Sequence, residues 1–101
     1  MLNKYKQFKD MKKQAKDLQN NLATVTSEGS ALFGKIKITV NGNRDITDVV
    51  INEGAMSDRE KLQEGIKDAY KDATGTKFQM KLAKKMQEMG GLDALKNMGF
   101  N

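Results

Sequence analysis

Apolar residues near the start of the chain recur at a spacing that only a helix can use. From Phe8 through Met11, Ala15, Leu18 and Leu22 to Val25 the intervals are 3, 4, 3, 4 and 3, the a/d register of a heptad. Tyr5 precedes this run, the residues between are mostly Lys, Gln, Asp and Asn, and no Gly or Pro interrupts. The spacing predicts one helix from about Leu2 to Ala23, roughly 33 Å long at 1.5 Å per residue. So narrow an apolar stripe suits a helical partner better than a broad core. With fewer than four heptads, that partner is either the second helix of the chain or another subunit.

The hydrophobic period then changes from a helical one to two. Ala23 to Ser27 is rich in β-branched residues and could open a first strand, while Glu28-Gly29-Ser30 reads as a turn. Leu32, Gly34, Ile36, Ile38 and Val40 alternate with Phe33, Lys35, Lys37 and Thr39, the mark of a half-buried strand. Asn41-Gly42 follows at once and predicts a tight hairpin in which both central residues take positive φ. A return strand from about Arg44 to Ile51 carries Ile46, Val49, Val50 and Ile51, with its alternation broken near Asp48, where a bulge or strand end is expected. Two or three antiparallel strands result. So small a sheet needs helices or a second sheet on its apolar face.

Ser57-Asp58-Arg59-Glu60 has the form of a capping box, Ser57 as N-cap and Glu60 reaching back. Leu62, Ile66, Ala69, Tyr70 and Ala73 then repeat at helical spacing. Thr74-Gly75-Thr76 weakens the pattern, and the helix either continues with a kink or restarts. Met80, Ala83 and Met86 share one face beyond it, with Phe78, Leu82 and Met89 nearby, and Gly90-Gly91 ends the run. The tail carries Leu92, Leu95, Met98 and Phe100 and is expected to be mobile. The reading is an α+β fold of helix, two- to three-stranded antiparallel sheet and long helix in a single domain. Its parts are a basic helix over 1–23, a sheet over 24–52, a second helix over 57–89 with a kink or restart at Gly75, and a tail over 90–101.

Composition narrows the chemistry. The 101 residues include no Cys, His, Trp or Pro, which removes disulfides, thiolate or imidazole metal sites, and His- or Cys-based catalysis. No apolar run approaches the roughly 20 residues of a membrane-spanning helix, and the first twenty residues lack a signal peptide's unbroken apolar stretch. A cytoplasmic protein is expected. The net charge of +5 is unevenly placed. Residues 1–20 hold Lys4, Lys6, Lys9, Lys12, Lys13 and Lys16 and are net +4; residues 21–73 are net −2; residues 74–101 are net +3. Uniform solubilising charge needs no such partition.

The lysines of the first helix surround its apolar stripe. They suit an ordinary solvated face, or a surface that neutralises phosphates and releases counterions. A membrane-surface helix is a third possibility, against which the many Gln and Asn residues and the strict heptad argue. Lys77, Lys81, Lys84 and Lys85 form a second cluster, three of them on one face at i, i+4 and i+7. Glu60, Glu64, Asp68 and Asp72 present an acidic face that Lys67 and Lys71 can pair, which makes the middle of the molecule a poor surface for phosphates. Asp45, Asp48 and Glu53 lack the ligand spacing of a Ca²⁺ loop and read as turn residues. Gly90-Gly91 is followed by no Lys-Ser/Thr and is no phosphate cradle. The Met80, Met86 and Met89 group reads as core or partner-helix packing. No metal, cofactor or small-molecule substrate is expected, and no pair of catalytic groups is arranged by spacing.

Met11-Lys12-Lys13-Gln14-Ala15-Lys16-Asp17-Leu18-Gln19 resembles the M-K-Q-A-x-x-M/L-Q run that opens the YbaB/EbfC family. Gly34 to Gly42 resembles that family's G-x-V-x-V-x-x-N-G hairpin, and Val49-Val50-Ile51 with Asp58 to Glu60, Leu62 and Ile66 to Ala69 is similar to its third strand and second helix. The order of these pieces matches over nearly the whole chain. Two departures concern turn geometry: large residues at Leu32 and Phe33 where the family keeps small ones, and Asn52-Glu53 where it commonly has proline. The resemblance implies an intertwined, tweezer-like homodimer whose sheets and second helices form the body and whose first helices project as arms. It implies a bacterial nucleoid-associated protein that binds double-stranded DNA with limited sequence preference. The contacts expected are Lys4, Lys6, Lys9, Lys12, Lys13 and Lys16 on the arm and Lys77, Lys81, Lys84 and Lys85 near the other end. Leu18, Leu22, Ile36, Ile38, Val40, Leu62, Ile66 and Ala69 are the expected core and dimer residues. The presence of only Arg44 and Arg59 among arginines points the same way, because Arg is the commonest reader of guanine. The alternative reading is a cytoplasmic scaffold or chaperone-like protein whose heptad helix binds an acidic protein partner.

Overall fold

Ile36, Ile38 and Val40 are each fully buried, and the molecule is assembled around that one strand face. The computed structural model describes residues 2–90, in the order α1 (Leu2–Leu22), β1 (Thr26–Ala31), β2 (Ile36–Asn41), β3 (Ile46–Ile51), a 3₁₀ turn (Glu53–Ala55), α2 (Arg59–Ala73) and α3 (Thr76–Glu88). The three strands form an antiparallel meander with β2 in the centre. Of the tail expected over 90–101, all but Gly90 lies outside the described residues.

Register explains which side chains meet α2. Opposite Val40, Ile38 and Ile36, strand β1 places Ser27, Gly29 and Ala31, all small. The facing side of α2 is equally small, with Gly65, Ala69 and Ala73 buried. Two small surfaces let the helix settle almost onto the strand backbone. A methyl group built on Gly29 would lie 2.0 Å from the Ala69 carbonyl oxygen and 2.2 Å from the Ala73 nitrogen. Phe78, fully buried at the start of α3, joins the cluster; burying a side chain of this kind contributes about 1.5–3 kcal/mol. The Ser27 hydroxyl is buried there with no hydrogen-bond partner among the described residues.

Helix α2 packs over β1 and β2, and the inner face of β3 stays largely bare. Ile46 and Val49, opposite Val40 and Ile38, remain 52% and 45% exposed. A register shift between Thr39 and Val40 leaves Thr47 as the extra residue, the bulge expected near Asp48. Thr47 donates its hydroxyl to the Thr39 carbonyl at 3.3 Å.

Several local expectations need correction. Glu28-Gly29-Ser30 is not a turn but the centre of β1, because pairing with β2 and the close approach of α2 select an extended backbone there. The N-cap of α2 is Asp58, whose carboxylate accepts from the Lys61 amide at 3.1 Å, and not Ser57, whose hydroxyl donates to the Gly54 carbonyl. Of the two forms expected past Gly75, kink or restart, the chain takes the second: Gly75 has φ −81° and ψ −145°, and the Thr74 hydroxyl bonds back to the Tyr70 carbonyl at 2.9 Å. The face of α3 that turns inward carries Phe78 and Leu82, while Met80 is 68% exposed.

The β2–β3 turn also differs from the expected two-residue form. Asn41 closes it by two backbone bonds, its carbonyl accepting from Arg44 and its amide donating to Asp45. Positive φ falls on Arg44 (67°), not on Asn41 or Gly42. In the β1–β2 connection, Leu32, Phe33 and Gly34 all have positive φ, at 52°, 57° and 85°. Leu32 and Phe33 are unusual residues for that region.

Candidate nucleic-acid interface

Helix α1 is an arm. The molecule measures 61 × 26 × 18 Å, and α1, at about 31 Å for its 21 residues, accounts for much of the long dimension. Lys4, Lys6, Lys9, Lys12, Lys13 and Lys16 are all exposed. At about 100° per residue, Lys6, Lys9, Lys12, Lys13 and Lys16 fall within an arc of roughly 120°. Phe8, Met11, Ala15, Leu18 and Leu22 occupy the neighbouring stripe, with Lys4 on the stripe's own line. Asp10 and Asp17 sit at the far rim of the basic arc. The helix therefore carries one basic face and one apolar face side by side. Of the apolar face, Leu18 and Leu22 are half-buried, while Phe8 and Met11 are 66% and 63% exposed.

The second lysine cluster is split by its surroundings. Lys77 pairs with Asp72 at 3.5 Å. The Asp72 carboxyl is held below the usual carboxylate range, first by the Ser30 amide that it accepts at 3.0 Å and then by the Lys77 charge, against some desolvation. Lys81 donates to the Thr26 carbonyl at 2.8 Å and so pins α3 to β1. Lys84 and Lys85 line a shallow depression with Thr24, Val25, Thr26 and Glu88, beside the foot of the arm. Folding thus brings Lys81, Lys84 and Lys85 of α3 beside the segment that follows α1, although more than fifty residues separate Thr26 from Lys81. Among the described residues the acidic face of α2 carries a second close pair, Lys67 with Glu64 at 3.4 Å.

The foot of the arm shows why it stands where it does. The Leu22 carbonyl accepts from Val25 and from Gly42, and the Gln19 carbonyl from Ala23 and from the Asn43 side-chain amide. Last-turn carbonyls of a helix otherwise need water. Sequence reasoning passed over Asn43. The signal that could have found it is an Asn beside the hairpin Gly, a residue type that bonds nearby backbone. The dimer and core residues named from sequence divide: Ile36, Ile38, Val40 and Ala69 are buried, and Leu62 and Ile66 are half-buried around them.

A family model described as the YbaB/EbfC DNA-binding family matches residues 1–92. The chain belongs to that family. This YbaB/EbfC protein is 35% identical over 97 residues to a nucleoid-associated protein of Gloeobacter violaceus, covering 94% of this chain and 86% of the relative. It is 36% identical over 89 residues to a nucleoid-associated protein of Polynucleobacter necessarius, covering 88% and 79%. Its fold is similar to the crystal structure of an uncharacterized protein from Helicobacter pylori, with a TM-score of 0.56 at 16% identity over 84% of this chain and 96% of that one. The YbaB/EbfC family is one of nucleoid-associated DNA-binding proteins and not of enzymes. Among the described residues of this member, no helix is long and apolar enough to cross a membrane.

Proposed function

We propose that this protein binds double-stranded DNA with low sequence specificity as a homodimer, and that it helps to organise the nucleoid and to regulate genes there. The observation that carries the reading is the basic face of α1: five lysines within one arc of a helix that projects from the body. Lysine ammonium groups are point charges suited to phosphate oxygens and carry no base code. Lys84 and Lys85 extend the same surface at the arm's foot, whereas Lys77 and Lys81 are engaged by Asp72 and Thr26. Arg44 supports low specificity too, since its guanidinium lies 5.5 Å from the centre of the Phe78 ring.

Dimerisation is supported by β3. It is an edge strand whose Ile46, Val49 and Val50 are about half exposed, an edge that proteins otherwise protect. Beside it, Ile46, Ile66 and Tyr70 line an open groove.

The experiment is binding to duplexes of unrelated sequence across a salt series. Affinity is expected to fall log-linearly with salt and to differ little between sequences. Replacing Lys9, Lys12, Lys13 and Lys16 by Gln should shallow the slope by about 0.9 for each phosphate that is no longer neutralised, with the dimer intact. Absence of binding at low salt defeats the proposal. A second reading, a scaffold for an acidic protein partner, is favoured by the exposure of Phe8 and Met11, and equal salt-dependent binding to an acidic protein would support it.

A further inference from the structure

We propose that Asn43, together with Gly42, is a positioning residue that sets the angle of the arm to the body, and that this angle governs DNA affinity. The inference rests on the DNA-binding reading for its second half only.

The β2–β3 turn is a socket for the last turn of α1. The Gly42 amide donates to the Leu22 carbonyl at 2.9 Å and the Asn43 side-chain amide to the Gln19 carbonyl at 2.9 Å. These acceptors are three residues apart, so they lie close together at the end of the helix, on the side facing the turn. Two bonds to one side of a helix end restrict its tilt more than either alone. Gly42 must lack a side chain for this contact, since a Cβ there would lie 2.4 Å from the Leu22 oxygen.

The socket is itself braced. The Asn41 side-chain oxygen accepts from the amides of Asn43 and Asp45 at 2.9 and 3.1 Å. Arg44 is held in the left-handed region at φ 67°. Its carbonyl accepts from the Tyr70 hydroxyl of α2 at 3.3 Å, and its guanidinium lies over Phe78 of α3. The turn that holds the arm is thus gripped by both helices of the body.

Leverage makes the angle matter. A 10° tilt at the foot moves the tip of a helix of this length by about 5 Å, more than the roughly 3.4 Å axial spacing of charges along one DNA strand. An arm that wanders presents its lysines in register only part of the time, and apparent affinity drops by that fraction. The lysines are unchanged, so the salt slope should be too.

The chain has no cysteine, which permits spin labels at Asp10→Cys on the arm and Glu28→Cys on the sheet, measured in protein diluted with unlabelled chain. A narrow arm-to-body distance distribution is expected. Asn43→Ala should at least double its width, Asn43→Gln, which keeps the amide donor, should recover most of the order, and Gly42→Ala should displace the mean. For Asn43→Ala the dissociation constant for duplex DNA should rise about five- to tenfold with the salt slope unchanged. An unbroadened distribution in Asn43→Ala overturns the proposal, as does a broadened one with unaltered DNA affinity. If Asn43→Ala does not fold, Gly42→Ala decides by the shift of its mean. If the unsubstituted protein binds no DNA at low salt, the DNA-binding reading has failed, and the distance distribution by itself decides whether Asn43 sets the arm.

Discussion

Gly29 of β1 and Ala69 of α2 are in such close contact that the backbone of one occupies the place where the other would need a side chain. A Cβ on Gly29 would meet the Ala69 carbonyl oxygen at 2.0 Å and the Ala73 Cα at 2.8 Å. Both obstacles are main-chain atoms, which move only if the whole helix moves. Gly29→Ala is therefore expected to destabilise the fold by about 3 kcal/mol or more, in the range of severe overpacking. Urea unfolding followed by circular dichroism checks it, and a loss under 1 kcal/mol would show that α2 can lift off the sheet at little cost.

Phe33 is expected to be a source of strain. Its φ of 57° puts a bulky residue in the left-handed region, at about 1–2 kcal/mol. Its side chain is fully exposed and makes up none of that cost by burial. Phe33→Gly should raise the unfolding free energy by about 1 kcal/mol. A decrease in thermal midpoint would show that Phe33 holds the turn through contacts of its own.

Acid sensitivity should have a contribution from Asp72. The Ser30 amide, and after it Lys77, lower its carboxyl pKa in the folded state. A depressed folded value means that the carboxylate stabilises the fold above its unfolded pKa and that this contribution is lost as pH falls through the folded one, below about pH 4. Stability curves of the unsubstituted protein and Asp72→Asn should stand apart near neutrality and converge in acid. Parallel curves from pH 7 to 2.5 would remove Asp72 from the account.

Val49 tests the association surface. It lies on the inner face of edge strand β3, 45% exposed and opposite the buried Ile38. A charged residue there would be harmless on a free surface but costly in an interface. Val49→Glu should produce a folded monomer by sedimentation, with DNA affinity reduced because the second arm is missing. A dimer of undiminished stability would place the interface elsewhere.

Much of this was legible in the residues. Heptad spacing from Phe8 to Leu22 marked α1, alternation through Ile36, Ile38 and Val40 marked β2, and the order of the pieces marked the family. What misled were local signals with a tertiary competitor. Glu28-Gly29-Ser30 reads as a turn because Gly and Ser favour turns, yet this Gly is there so that α2 can approach. Asn41-Gly42 reads as a two-residue hairpin, yet this Gly serves the Leu22 carbonyl and the left-handed position passes to Arg44. Met80 reads with Met86 and Met89 as core or partner-helix packing, yet it stands exposed, because a new helix begins past Gly75 and its inward face carries Phe78 and Leu82.

By itself, then, the sequence determined α1, β2, β3 and the start of α2, the basic character of both ends and the lysine face of α1, because periodicity and charge are properties of neighbours along the chain. Only tertiary structure decided which lysines are engaged, since Lys77 meets Asp72 and Lys81 meets Thr26 across breaks in secondary structure. It also decided that Lys84 and Lys85 lie beside the foot of α1, and that the end of α1 is bonded to Asn43 and Gly42. Most of these contacts join residues far apart in sequence, and the Lys77–Asp72 pair crosses the helix break at Gly75, so no spacing rule along the chain encodes them.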